Sequence, residues 1–534
     1  MAAVDIGLQT SELYGTSRLI DESGHGEKGD FILVPHPTTD PNDPLTWTYK
    51  RRGMCLAAVT FFTFFAGAII SGPVAGWVAT SQETGITLTQ LNYGYAISIM
   101  FLGVANIPWT IVANYYGRRP VYLACAFGTL LCCIWTAEYQ NVHSYYAKSA
   151  IIGIFCAPYE GMVMTIVADL YFLHERGLYM ALVFMHAIVG TDLGTIASAF
   201  ISGTGVLNWR WCGWIGAMAF AVSFALLYFG FEETRFFRIA QSDPDSAASS
   251  TMPSTLAVGG DEKTKSLEPA ADVEPAQPVH RAKTRKEKLA LWSLPPPNVR
   301  VTPMQCFKEI MALFYYPAVV WAGCIYGINV SIYACVLSML PAVIQVPPYN
   351  FTAVQLGLTR FGTIIGTLIA LVLSGPLSDK VANAMARRNH GIREAEHRLP
   401  LFTLGLIVMP GACLIFGLCA AYQTHWIGVV FGEGLSSFGY AFTSELAMSY
   451  VVDCYRPVAI ESMVGVVVIR NFYGFALTFA ISPWLAASGV RNVSIALAVI
   501  AFGMYCLTLP MYMYGKRMRI WTSTRFPLAG RKIM

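Results

Sequence analysis

Among the ionisable residues inside long apolar runs of the chain, seven are singled out: Glu160, His186, Asp192, Arg210, Glu433, Glu445 and Arg470. In a bilayer each such group costs roughly 2.5–3.5 kcal/mol on insertion scales, so each implies a use or a partner. Burial favours the neutral form of a carboxylate, which lets it load and release a proton near neutral pH. Glu160 and Asp192 are the preferred proton carriers on this reading, with His186 a third titrating group. Arg470 needs a counter-charge, and either Glu433 or Asp192 can supply it. Asn106, Asn329, Tyr333, Tyr440 and Asn471, together with Glu433 and Arg470, are the candidate lining of a substrate cavity.

Helical spacing sorts these groups. Glu160 and Asp169 are nine residues apart and so point to opposite faces of one helix. Depth in the run favours Glu160, while Asp169 and Asp453 read as anchors near helix ends. His186 and Asp192 are separated by about 9 Å along the axis and about 120° in direction, too far for direct contact. Glu433 and Tyr440, seven residues apart, share nearly one face.

The elements that position these residues follow from composition. Of 534 residues 55% are hydrophobic and only 13% charged, against roughly 25% charged in soluble domains. Mean hydropathy is +0.50. The chain is therefore an all-α membrane protein. At roughly 20 apolar residues per crossing, it divides into twelve spans near 53–78, 90–112, 120–139, 145–169, 178–203, 209–231, 312–341, 354–377, 400–421, 425–450, 460–487 and 491–514. Residues 1–52 read as a disordered cytosolic tail, 53–238 as a first six-helix bundle, 239–303 as a disordered cytosolic linker, 304–515 as a second bundle and 516–534 as a cytosolic tail. Two halves around a long link suggest an internal repeat.

Lys and Arg collect in loops on one side, among them Arg51, Arg52, Arg118, Arg119, Arg235, Arg387, Arg398 and Arg517, which places both termini and the linker in the cytosol. The net charge of +4 is thus a topology signal, not a nucleic-acid footprint. Asn350 and Asn492 head glycosylation sequons expected in outer loops. The 13 cysteines show no metal-ligand spacing and most read as apolar packers. No metal, no cofactor and no nucleotide-binding Gly-Lys-Ser/Thr loop is expected, so an ion gradient must supply the energy.

The loop after the second span, "NYYGRRPVYL", closes with Gly117, Arg118 and Arg119, and its counterpart in the second half reads "GPLSDK", with Gly375, Leu377, Asp379 and Lys380. These are the end and the front of the Gly-x-Leu-x-Asp-Arg-x-Gly-Arg-Arg signature, and on them the chain resembles the major facilitator superfamily. In the first copy Asn114 stands at the acid position and Thr110 at the first Gly. "DPNDPLTWTYKRRG", "DLYFLHERG", "NWRWCGWI", "EETRFFR" and "ARRNHGIREAEHRLP" further resemble its fungal drug:proton antiporter-like branch. The resemblance implies two six-helix bundles around a cavity that opens alternately to each side. It also implies that Gly117, Arg118 and Arg119 meet Asp379 in a cytosolic gate. In span five, "GTDLGTIASAF" keeps Gly190 and Gly194 but has Thr195 where the antiporters of that branch have Pro.

The expectation is a monomeric plasma-membrane transporter, not an enzyme, that exports a small organic compound (a secondary metabolite, toxin or drug) in exchange for protons. The alternatives are proton-coupled uptake of an organic nutrient or of a cation such as a polyamine, and a transporter-like sensor.

Overall fold

The computed structural model describes residues 16–18, 40–205, 207–236, 284, 287, 290, 302–389, 392–455 and 459–525. Nearly all of the expected linker 239–303, and most of the expected N-terminal tail, lie outside them.

Ten stretches are long and apolar enough to cross a bilayer. They comprise α1 (Tyr49–Ser71, continuing through a short 3-10 turn to Thr84), α2 (Leu88–Tyr116), α3 (Arg118–Glu138), α4 (Val142–Cys156, resuming as Met162–Leu170), α5 (Leu173–Gly203), α6 (Trp211–Gly230), α7 (Pro317–Ile344), α8 (Ala353–Arg388), α9 (Phe402–Ala421) and a segment from Glu461 to Thr522. That last segment has 62 residues, about 93 Å of helix and some three times the hydrocarbon thickness. Gly489, at φ 73° and ψ 162°, divides the helix Ala459–Cys506 into α11 and α12. The remaining crossing is α10 (Trp426–Cys454), which carries Glu433, Glu445 and Asp453. Among the described residues the count is therefore twelve.

The two halves repeat one packing plan. In the first bundle α1 packs on α5, α2 on α4 and α3 on α6; in the second, α7 packs on α11, α8 on α10 and α9 on α12. Each pairing recurs six helices later. Glycines make these approaches close: Gly190 and Gly194 of α5 lie against the backbone of Phe64 and Ala68, and Gly366 of α8 against the carbonyl of Gly434. Thr195 leaves α5 an uninterrupted helix, its hydroxyl donating to the Thr191 carbonyl at 2.9 Å. Aromatic residues fill the bundle cores, with Phe62 edge-on to Tyr122 and Phe220, and Trp321 to Phe402 and Tyr450. Phe229, Val372 and Ile407 instead point outward and are more than 70% exposed, which suits a lipid environment.

Four details depart from the sequence reading. Thr16–Arg18 of the expected disordered tail forms a strand antiparallel to Ile392–Glu394. A short helix, Pro303–Leu313, precedes α7 and packs against both α2 and α11. The expected tail from 516 is helical to Arg525, because Arg519 is drawn into a bidentate pair with Glu396. The Asn492 sequon lies on α12 rather than in a loop, with Ser494 buried against Gly417, whereas Asn350 is exposed in a turn at φ 51°.

Candidate functional site

Glu160 owes its position to a break in α4. Ala157–Tyr159 is a 3-10 turn built around Pro158, whose missing N–H and ring clash interrupt an α-helix. The turn offsets the two parts of α4 and presents Glu160 between the bundles. There it is bridged to Arg470 of α11, while Asn471 donates to its other oxygen at 2.9 Å and Tyr326 of α7 accepts from Arg470 at 2.8 Å. The counter-charge of Arg470 is therefore Glu160, not Glu433 or Asp192. One turn of α7 separates Tyr326 from Asn329, and two turns separate it from Tyr333.

Asp192 of α5 occupies a second bridge. It accepts from the Tyr333 hydroxyl at 2.6 Å, and the Nε of Arg360 on α8 lies 3.7 Å from it. The same guanidinium contacts Glu433 of α10. Asp192, Arg360 and Glu433 are each 0% exposed. Both bridges thus join the first bundle to the second, one on α4 and α11, the other on α5 and α8.

Between them lies a chamber with two small lobes of about 50 Å³ and about 60 Å³, which share Tyr159, Glu160, Thr191, Tyr333, Tyr440 and Arg470. The first lobe is otherwise lined mainly by apolar side chains such as Val163, Phe184 and Met448. Tilted aromatic rings line its wall: Tyr440 is 5.4 Å from Tyr333 and 6.1 Å from both Tyr326 and Phe184. Arg470 lies over Tyr326 at 4.6 Å and Arg360 over Tyr333 at 5.6 Å. On the face opposite the basic loops the chamber is sealed by Val74, Trp77, Tyr95, Ile99, Ala334 and Leu337 from both bundles. Across the same seam Asn92 donates to the Thr478 carbonyl at 2.7 Å and Tyr93 stacks on Phe479 at 4.4 Å.

Of the residues singled out from sequence, the chamber and its bridges gather Glu160, Asp192, Tyr333, Glu433, Tyr440, Arg470 and Asn471. Asn329, Asn106, His186 and Arg210 are elsewhere. Asn329 faces the interior of the second bundle, donating to Thr443 at 2.8 Å and accepting from Tyr505 at 2.8 Å. Asn106 donates to its own helix at the Leu102 carbonyl, and His186 contacts the Leu182 carbonyl in the same way. Arg210 is on the sealed rim, 3.1 Å from Glu83.

The expected gate contact between the arginine pair and Asp379 is not formed. Gly117, at φ 107°, turns the chain so that the backbone N–H groups of Arg118 and Arg119 donate to the Glu233 carboxylate at 3.0 and 3.1 Å. A Cβ at position 117 would sit 2.2 Å from that carboxylate. Arg118 pairs with Asp169, and Arg119 donates to the Tyr228 carbonyl at 2.7 Å. Asp379 pairs instead with Arg398, which also holds Ser378 and Asp453. Acids within each bundle lie nearer than those across the gap and satisfy the guanidiniums first.

Arg360 and Tyr326 are functional candidates that sequence reasoning missed. The signal for Arg360 was present, a lone guanidinium in "LGLTRFGTIIG". It obeys the same insertion-cost argument as Arg470.

A twelve-helix, two-bundle membrane protein with a charged chamber between its halves is a secondary transporter in architecture. The profile of the Major Facilitator Superfamily matches residues 56–418, and the chain belongs to that superfamily. It is similar to an uncharacterized MFS-type transporter of Schizosaccharomyces pombe, 29% identical over 93% of this chain and 90% of the relative. Protein HOL1 of Saccharomyces cerevisiae is 29% identical over 92% and 90% respectively. The MFS-type transporter penM of Penicillium rubens is 28% identical over 91% and 89%.

Proposed function

We propose that this chain is a monomeric, proton-coupled carrier that exports a small organic compound across the fungal plasma membrane by alternating access, with both termini cytosolic. The observation that supports it is the pair of bundle-to-bundle bridges, Glu160–Arg470 and Asp192–Arg360. Rocking of one bundle against the other must part these charges, and a separated buried ion costs several kcal/mol. Proton binding to Glu160 or Asp192 neutralises the acid and removes the carboxylate's part of that cost, while Tyr326 and Glu433 stay with the guanidiniums left behind, so proton binding favours the conformational change. Substrate enters the chamber when the bridges open and leaves when they re-form on the other side. Glycosylation at Asn350, exposed in a turn on the sealed side, fits this orientation.

A gene-deletion strain tests the direction: retention of, and hypersensitivity to, the compound supports export, and starvation for it refutes export. Vesicles holding the purified protein test the coupling, which fails if an imposed pH gradient drives no flux.

The second reading, uptake of an organic cation such as a polyamine, has its own support. The interior sets three carboxylates (Glu160, Asp192, Glu433) against two guanidiniums (Arg360, Arg470), an excess of one negative charge beside a wall of tyrosine faces. Aromatic faces attract cations by roughly 0.5–2 kcal/mol each.

A further inference from the structure

The Asp192–Arg360–Glu433 cluster borders neither lobe of the chamber, so a proton that serves it needs another way in. A polar seam between α8 and α10 leads from this cluster toward the basic loops. On α8, Arg360, Thr363, Thr367, Ser374 and Ser378 fall within an arc of about 60°, and each is at most 1% exposed. The Thr363 hydroxyl donates to the Arg360 carbonyl, and the Thr367 and Ser437 hydroxyls bond across the two helices at 2.7 Å. Two turns further, the Ser374 hydroxyl, which donates to the Leu371 carbonyl at 3.4 Å, lies beside Glu445 of α10. Glu445 is half-buried, and its Oε2 is closed to solvent and accepts no hydrogen bond among the described residues. Past it the seam ends at Ser378 and the Arg398–Asp379–Asp453 network.

We propose that Glu445 is a proton-binding group through which the buried Glu433 and Asp192 exchange protons with solution on the basic side, along the hydroxyl-lined seam between α8 and α10. This inference rests on the proton-coupled reading above. The proton binds the Glu445 carboxylate at the rim and passes by Ser374, across the small side chains of Ala370 and Ala441, to the Thr367–Ser437 pair and on to Glu433. Water entering from the basic side bridges the stretch at Ala370 and Ala441, which has no hydroxyl. The charged groups facing Glu445 are Arg398 from the turn before α9, Asp379 at the end of α8 and Asp453 on its own helix; α7 and α9 have no charged residue to offer. A carboxylate grouped with two further acids at a protein rim is suited to collecting protons, and one with an unused buried oxygen has capacity to bind one.

The test needs no substrate. The full-length protein in lipid nanodiscs is jumped from about pH 8 to about pH 5, and carboxyl protonation is followed by time-resolved infrared difference spectroscopy. Glu445→Gln should remove one carboxyl band and slow protonation of those assigned to Glu433 and Asp192 at least tenfold. The pair Thr367→Val and Ser437→Ala should slow them while leaving the Glu445 band. Glu445→Asp should restore the fast rate. Unchanged bands and rates in Glu445→Gln overturn the proposal, as does slowing seen only in Tyr333→Phe, which would place the route through the chamber. If the unsubstituted protein takes up no proton and Asp192→Asn subtracts no band, it is proton coupling itself that fails.

Discussion

Glu160 and Arg470 stand 310 residues apart in the chain and meet across the interface between the two bundles. Each is nearly fully buried, with 3% and 7% of its side chain exposed. Removing one partner of such a pair costs roughly 3–5 kcal/mol, because the other charge is left desolvated, whereas replacing both with apolar groups is often neutral. Glu160→Gln is therefore expected to lower the thermal midpoint of the purified protein by several degrees and to abolish flux. Adding Arg470→Met should recover the midpoint without recovering flux. A double variant as unstable as the single would show that the pair is not coupled.

Arg360 serves two acids at once, Glu433 within its own bundle and Asp192 across the interface. The contact with Glu433 keeps the guanidinium on the second bundle when Asp192 moves away, so the charge never enters lipid unpaired. Arg360→Met should strand two carboxylates and lower both yield and thermal midpoint, by roughly 3–5 kcal/mol in stability. Arg360→Lys keeps the charge but not the planar fork, and should retain the fold while losing most of the flux. Equal behaviour of the two variants in parallel unfolding and vesicle-flux measurements would refute the two-acid role.

The helices were readable from sequence because a bilayer demands long apolar runs, and the charged residues in those runs were conspicuous for the same reason. Glu160, Asp192, Glu433 and Arg470 all emerged that way. Their pairing did not, since it depends on which helices cross and on the Pro158 turn that offsets Glu160, neither of which has a one-dimensional signature. Asn329 carried the same polar signal as Asn471, yet Thr443 and Tyr505 absorb its hydrogen bonds inside one bundle. At the gate, the family pattern pointed across the halves, but the acid Glu233 in "FEETR" lies within reach of the Gly117 turn and captures it.

The basic-rim networks make opposite predictions for two residues that the gate reading linked. Arg118 is 6% exposed, and it pairs with Asp169 and donates to the Thr165 carbonyl at 3.3 Å. Arg118→Ala should destabilise the first bundle by roughly 3 kcal/mol or more, since Asp169 loses its cation. Asp379 has 58% of its side chain exposed, and surface pairs are worth little. Asp379→Ala should leave the thermal midpoint and cysteine accessibility on that rim almost unchanged. A large effect at Asp379 together with a small one at Arg118 would restore the cross-bundle clasp.

The α8–α10 contact is set by glycines, and its failure would spread to the charges beside it. A Cβ on Gly366 would lie 2.2 Å from the Gly434 carbonyl, and one on Gly434 would lie 2.8 Å from that of Gly362. No flexible side chain is there to give way, so Gly366→Ala must push the helix backbones apart. That shift would loosen Arg360 from Glu433 and Thr367 from Ser437, turning a methyl group into the loss of a buried ion pair. Gly375 and Gly411 are helical glycines with nothing within 4 Å of an added Cβ, and alanine there should be neutral or stabilising by up to about 1 kcal/mol. Thermal midpoints of the three variants in one detergent test the contrast. A Gly366→Ala protein as stable as the two controls would mean that α8 and α10 are not held at glycine distance, and the bridge built on them would lose its support.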